Sequence, residues 1–330
     1  MRDYPIEEIV EALRSGDLVA LPTETVYGLA ANALDPLAVK KIFEVKGRPF
    51  IDPLIVHAYD LEQVEKLAFL TDIVYKLADK FWPGPLTLVL PKKTIVPDIV
   101  TAGLENVAIR IPRHPIFREF LAASKLPLAA PSANPFGYLS PTEARHVQKT
   151  LGSKLKYIVD GGPCPIGFES TILSLINPDN PKILRPGPIS AEDLEHIFGF
   201  KPNYAMTSAS NHEGAQMSPG LLKSHYSPRT ALRLFDFGNI PNLDDRVGKH
   251  AIVFVKRPQK PQEFQVIEET DTCKIFWLSE NGDLNEVGKN LFSLLERLDA
   301  QGLDCIFAEV VENKGIGIAI NDRLKRASCK

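Results

Sequence analysis

The chain has 330 residues, a formal net charge of −3, and 44% hydrophobic and 24% charged residues. That length exceeds one ordinary core and suits two domains; the mild acidity argues against a protein that coats nucleic acid, which needs a basic face. Its four cysteines, Cys164, Cys273, Cys305 and Cys329, are scattered without a C-x-x-C pair or histidines at metal spacing, so they read as reduced thiols and not as a disulfide frame or zinc site.

The first predicted element is an amphipathic helix, with Ile6, Ile9, Val10 and Leu13 on one face and Gly16 closing it. It lacks the continuous apolar run of a signal peptide, and no later run is long enough to span a bilayer, so a cytoplasmic protein is expected. Short apolar strands then alternate with helices to about residue 200. The strand candidates are 18–23, 54–58, 86–91, 107–112, 126–131, 157–160, 170–175 and 182–187. Asp35-Pro36 opens a helix through Val45, and Thr71 opens another. Ser140-Pro141-Thr142-Glu143 reads as a capping box with proline at the first helical position, and Ser190 with Asp193 caps a last helix. Several connections are too short for crossover helices, so the expected sheet is mixed and the class α/β.

Residues 201–229 lose periodicity and are rich in Ser, Asn, Pro and Gly, the composition of a linker. Beyond it come three strand patterns, a long amphipathic helix over 284–298, the strand CIFAEVV and a closing helix, which predict a smaller Rossmann-like α/β domain. The expected division is a catalytic domain at 1–202, a linker or lid at 203–229 and a C-terminal domain at 230–330.

No phosphate-loop, G-x-G-x-x-G, G-x-S-x-G or H-E-x-x-H motif is present. Three other stretches carry polar groups on Pro/Gly-stiffened loops at strand or helix ends, where α/β folds bind ligands: LPTETVYGLAA (21–31), KGRPFIDPLIVH (46–57) and APSANPFG (130–137). Each also has a plain structural reading. Lys46-Gly47-Arg48 suits a helix C-terminus with cations on the dipole and Gly47 as cap. Thr23, Thr25, Ser132 and Asn134 suit turns, and His57 suits a satisfied strand-end histidine.

Taken together, K-x-R-P at Lys46 and Arg48, followed by S-x-N at Ser132 and Asn134, resembles the signature of the YrdC-like family of L-threonylcarbamoyladenylate synthases. PTETVYGL, the His57 strand end, VAIRIP, LSPT, FESTI and LRPG occur in that family's order. The resemblance is dense over 6–200, continues through SPG…HYSP (218–228) and reaches NDRLKRA near the end, the layout of the family's long, two-domain form. It implies condensation of L-threonine, bicarbonate and ATP, with magnesium, to threonylcarbamoyl-AMP and pyrophosphate, the adenylate passing to a tRNA threonylcarbamoyl transferase complex. It implies a nucleotide site at Lys46, Arg48, Asn106, Ser132, Asn134, Ser140 and Arg185, with Lys46 and Arg48 catalytic and His225 and Tyr226 as lid. It implies an L-threonine site at Thr25, His57, Arg110, Ala130 and Ser170, Arg110 being the partner for the carboxylate. Asp52 stands where the family usually has asparagine, and either faces away or helps hold magnesium at the triphosphate. The linker lacks the family's methionine and basic residue before His-Tyr, so no contacts are carried onto Leu221 to Ser224. Two rivals share the domain: a carbamoyl transferase, which carries zinc-finger-like cysteine pairs absent here, and an RNA-binding module, against which the acidity speaks.

Overall fold

The computed structural model describes residues 4–205, 226–236, 239–241, 248–258 and 272–329. Ten strands among the described residues form one mixed sheet: β1 (Val19–Leu21), β2 (Gly28–Asn32), β3 (Ile55–His57), β4 (Leu86–Pro91), β5 (Asn106–Arg110), β6 (Leu128–Ala129), β7 (Tyr157–Ile158), β8 (Thr171–Ser174), β9 (Lys182–Arg185) and β10 (Asn203–Tyr204). Their order is β10-β9-β8-β4-β5-β3-β6-β2-β1-β7. The helices beside them are α1 (Ile6–Arg14), α2 (Pro36–Lys46), α3 (Leu61–Leu67), α4 (Asp72–Phe81), α5 (Asp98–Thr101), α6 (Pro115–Ser124), α7 (Ala144–Leu151) and α8 (Ala191–Phe198).

Strand alternation decides what each face buries. Val56 of β3 joins Leu29, Ala31, Leu88, Ile109 and Leu173 against α2, α3, α4, α7 and α8, while Ile55 turns to the opposite face beside Ala108 and Ile172. On that opposite face α1 and α6 pack Leu13, Phe117 and Phe120 on Val19, Leu21 and Ala30 at the β1–β2–β6 side. The middle of the same face is left for the cleft described below.

The second domain has four parallel strands, β11 (Ala231–Phe235), β12 (His250–Lys256), β13 (Cys273–Ser279) and β14 (Cys305–Glu309), in the order β11-β14-β12-β13. Helices α9 (Leu284–Asp299) and α10 (Ile316–Ser328) pack on one of its faces through Leu291, Leu295 and Leu324. This core takes in Leu139 and Phe168 from the first domain, together with Tyr226. Gly288 makes the approach possible, since a Cβ there would lie 2.5 Å from the Phe168 ring.

Strands at 86–91 and the helices opened by Asp35, Thr71 and Ser190 stand where the sequence predicts them; Asp35 accepts from Leu37 N, and Ser190 and Asp193 form the full capping box. Two expectations need correction. The predicted cap at Ser140 does not start a helix: α7 begins at Ala144, because Ser140 Oγ donates to Glu169 while Pro141 O and Thr142 O accept from Tyr27 N and Cys164 N. Tertiary hydrogen bonds there replace the local cap. The expected boundary at 202 also shifts, since Asn203 and Tyr204 pair in parallel with Lys182 and Ile183 as an edge strand of the first sheet. The rest of the expected linker up to 225 lies outside the described residues.

Gly187, just past β9, lies so close to the chain before β8 that a Cβ would fall 2.2 Å from Thr171 N and 2.6 Å from the Ser170 carbonyl carbon. Gly187→Ala is expected to lower unfolding stability by about 1–3 kcal/mol, the usual result of overpacking. Urea titration of wild type and variant measures it; equal midpoints would refute the close approach.

Candidate active site

Four loops converge over the middle of the sheet. The first leaves α2. Gly47 at φ +65° ends the helix as a left-handed cap, which turns the next residues back toward the sheet. Lys46 is buried, and its Nζ donates to Ser132 O at 2.5 Å and Asn134 O at 2.6 Å. Burial and, next, the charge of Arg48 pull its pKa well below the ordinary lysine value. Arg48 is equally enclosed: Nε donates to Asp52 O at 3.0 Å, Nη2 to Pro53 O at 2.7 Å, and Asp52 Oδ2 stands 3.0 Å from Nη2.

The second loop, 22–27, is folded by one hydroxyl. Thr23 Oγ1 accepts from Thr25 N and Val26 N at 3.0 and 3.1 Å and donates to Val26 O at 2.7 Å, so the Thr25 hydroxyl, 2.7 Å away, is the donor between the two threonines. Thr25 Oγ1 in turn accepts from Arg110 Nη1 at 2.9 Å. Arg110, at the end of β5, also donates to Gly84 O and pairs with Glu24 Oε1 at 2.7 Å. Burial works to raise the Glu24 pKa, yet Arg110 and backbone donors outweigh it and hold the carboxyl below its usual range. His57 ends β3 against the Phe117 ring at 5.0 Å, with Nδ1 buried and lacking a hydrogen-bond partner among the described residues. Burial first, then Arg110, depresses its pKa to about 3, so the imidazole is neutral.

The third loop carries the two prolines. Pro131 O accepts from Leu29 N at 2.7 Å, Ser132 bridges Gly28, and Ala133 N donates to Tyr27 O at 2.8 Å, which extends the sheet edge past β6. Asn134 Nδ2 closes the turn on Pro135 O and Tyr138 O, both at 2.9 Å.

The fourth wall comes from 169–170 and β9. Ser170 Oγ meets Thr87 Oγ1 at 2.8 Å, and Arg185 donates through Nε and Nη2 to Ser170 O at 3.2 and 3.1 Å and through Nη2 to Ser170 Oγ at 3.2 Å. Glu169 accepts from Ser140 Oγ at 2.5 Å and from Arg323 Nε at 2.8 Å. Tyr226, with φ +61°, packs on Phe292 at 5.5 Å, and its hydroxyl pKa is pushed up to about 12 by burial and then by the Glu169 charge.

Together these groups line one open cleft, whose walls include Thr23, Thr25, Val26, Arg48, His57, Arg110, Ala130, Ser132, Glu169, Ser170, Arg185 and Tyr226. Thr25, Arg48, His57, Arg110, Ala130, Ser132, Ser170, Arg185 and Tyr226 are therefore brought together as the sequence predicts. Lys46, Asn134 and Ser140 stand one layer behind, each holding a lining residue or its backbone. Asp52 is a correction: it is fully buried beside Arg48 and does not line the cleft. Asn106 is another. It shares the Arg110 face of β5 but lies four residues back, roughly 13 Å along the strand, and the cleft does not reach it. His225 lies outside the described residues.

The family described as telomere recombination matches residues 11–187, and the C-terminal domain of threonylcarbamoyl-AMP synthase matches 189–329. A threonylcarbamoyl-AMP synthase of Pyrococcus abyssi is 41% identical over 99% of this chain and 95% of its own length. One of Bacillus subtilis is 39% identical over 99% and 93%. The crystal structure of P. abyssi Sua5 complexed with L-threonine superposes with a TM-score of 0.86 at 38% identity, over 98% of this chain and 94% of that one. The chain belongs to the threonylcarbamoyl-AMP synthase family.

Against this synthase family the cleft contains residues that motif reading did not single out: Val26, Ile55 and Glu169, with Glu24 behind Arg110. Glu169 and Glu24 sit inside motifs quoted for other members, FESTI and PTET, but a glutamate between polar neighbours carries no signal until its arginine partner is known. No helix of the described residues is long and apolar enough to cross a membrane.

His57 gives a pH signature. Its unfolded form binds a proton below about 6.5, whereas the folded form resists protonation down to about 3. Stability contributed at this position is therefore whole above pH 6.5 and lost as pH falls toward 3, by about 1.4 kcal/mol per pH unit. His57→Gln is expected to flatten the stability profile between pH 6 and 4. Urea midpoints across that range test it, and parallel profiles would sink the assignment.

Proposed function

We propose that the cleft binds ATP and L-threonine side by side and condenses them with bicarbonate to threonylcarbamoyl-AMP and pyrophosphate. The threonine amine takes up bicarbonate as a carbamate, losing water. A carbamate oxygen then attacks the α-phosphorus, forming the P–O bond as the bond to the β-phosphate oxygen breaks and pyrophosphate leaves. The observation that carries the nucleotide reading is that Arg48 and Arg185 both line the cleft, and that buried Arg185 is bonded only to neutral oxygens of Ser170, with no ion pair among the described residues. Two guanidinium groups on the wall of one cleft, one of them in no direct ion pair, suit a polyanion such as a triphosphate. In this reading Arg48, Ser132 and Arg185 face the phosphates, with Lys46, Asn134 and Ser140 fixing the loops around them and Tyr226 beside the nucleotide. Arg110 and Thr25 take the amino-acid carboxylate and hydroxyl, neutral His57 accepts from the amine, and Ala130 and Ser170 bound the pocket.

Magnesium fits as a passenger of the phosphates. The described residues hold no cluster of three or more metal-ligating side chains, and Glu24, Asp52 and Glu169 each face an arginine. Magnesium bound mainly through phosphate oxygens and water would neutralise charge on the leaving pyrophosphate. The protein's part is to hold two anions together and exclude water from a mixed anhydride, with few proton shuttles. Its product suits a transferase that acylates an adenosine of tRNA.

The test mixes protein, ATP, magnesium and bicarbonate with single amino acids and follows pyrophosphate. L-Threonine is expected to support release, serine less well, and valine hardly at all. Valine leaves the hydroxyl's partners unpaired, while serine lacks one methyl worth about 1–3 kcal/mol. Equal rates with valine and threonine would refute the hydroxyl reading.

Lys46→Met and Arg48→Met are each expected to cut turnover about tenfold or more, the loss of a charge-assisted contact of about 1.5–3 kcal/mol. Unchanged pyrophosphate release in either variant would remove that residue from the site.

A further inference from the structure

Arg323 reaches the cleft wall from the other domain. It lies on α10 and is the largest fully buried side chain described. Its Nε is 2.8 Å from Glu169 Oε2 and its Nη1 2.8 Å from Asp322 Oδ2. The guanidinium lies over the rings of Phe168 and Tyr226, at 5.8 and 5.3 Å. Its Nη2 is buried with no hydrogen-bond partner among the described residues. Glu169, at the far end of this contact, is the one acidic side chain among the residues lining the cleft, which it shares with Arg48 and Arg185. Its second oxygen accepts from Ser140.

We propose that Arg323 is a positioning residue for the nucleotide: paired with Glu169, it cancels the carboxylate on the cleft wall and holds Glu169 and Ser140 in place, so that the second domain sets the electrostatics of the triphosphate subsite. The proposal rests on reading the cleft as an ATP site. An uncompensated carboxylate beside Arg185 would compete with phosphate for that cation and repel the polyanion. Threonine, held across the cleft by Arg110 and Thr25, would feel far less of it. The effect of Arg323 is therefore selective for one substrate, which simple loosening of the fold is not.

Direct titrations of the full chain with ATP plus magnesium, and separately with L-threonine, compare wild type, Arg323→Met, Glu169→Gln and the double variant, with thermal melting as the folding control. Arg323→Met is expected to weaken ATP binding about tenfold or more and threonine binding less than about twofold. Adding Glu169→Gln is expected to restore most of the ATP affinity, because the amide still accepts from Ser140 and carries no charge. Wild-type ATP affinity in Arg323→Met, equal losses for both ligands, or no recovery in the double variant would each overturn the proposal. Should Arg323→Met fail to fold, Glu169→Gln decides: tighter ATP binding supports the proposal, and unchanged or weaker binding overturns it. A wild-type protein that binds no ATP instead rejects the nucleotide reading of the cleft, and the proposal with it.

Discussion

Lys46 Nζ lies buried at the end of α2 with two carbonyl oxygens of one loop, Ser132 O and Asn134 O, at 2.5 and 2.6 Å, and Phe136 N returns to Lys46 O at 2.8 Å. These three bonds, with the Arg48 guanidinium over the Phe136 ring at 5.9 Å, lock a helix terminus to a loop far from it in the chain. Pro131 and Pro135 cannot donate backbone hydrogen bonds and have restricted φ, so the segment has few alternative conformations to lose. The edge that carries Ser132 is rigid for that reason, and its carbonyls face a cation instead of water. The carbonyls take the ammonium's protons without pairing its charge directly, and Arg185 on Ser170 is likewise in no direct ion pair among the described residues. The fold tolerates these enclosed charges because the surrounding packing over-determines them, the general condition under which functional sites hold groups that stability alone would remove.

How much of this is legible in the sequence depends on the range of the interactions. Elements defined by local chemistry are readable: the Asp35 and Ser190 caps, the apolar run of β4, and the left-handed turn at Gly47, which caps α2 as its structural reading expects. So is the set of loops that form the cleft. Elements decided by distant partners are not. Ser140 carries every mark of a helix cap and instead donates to Glu169, 29 residues on. β2 hides inside a motif whose polar residues draw attention to the turn before it, and β10 is two residues long, defined wholly by its pairing with β9.

The same logic explains which site residues escaped notice. Every predicted residue that lines the cleft bears a group that would contact a ligand. The missed ones either shape it with apolar side chains, as Val26 and Ile55 do, or act through an arginine far away in the chain, as Glu24 and Glu169 do. Asp52 shows the reverse case. A carboxylate near a phosphate-binding motif invites a metal role, while three dimensions show it buried against Arg48. Pairing across tens of residues, as for Glu24 with Arg110 and Glu169 with Arg323, is invisible to spacing.

Leu139 and Phe168 belong by chain position to the first domain and by packing to the core of the second, where Phe168 meets α9 at a glycine. A hydrophobic cluster that draws residues from both sides of a boundary cannot be dissolved from one side alone. Parting the two domains would therefore bare apolar surface on both sides, Leu139 and Phe168 on one and α9 on the other.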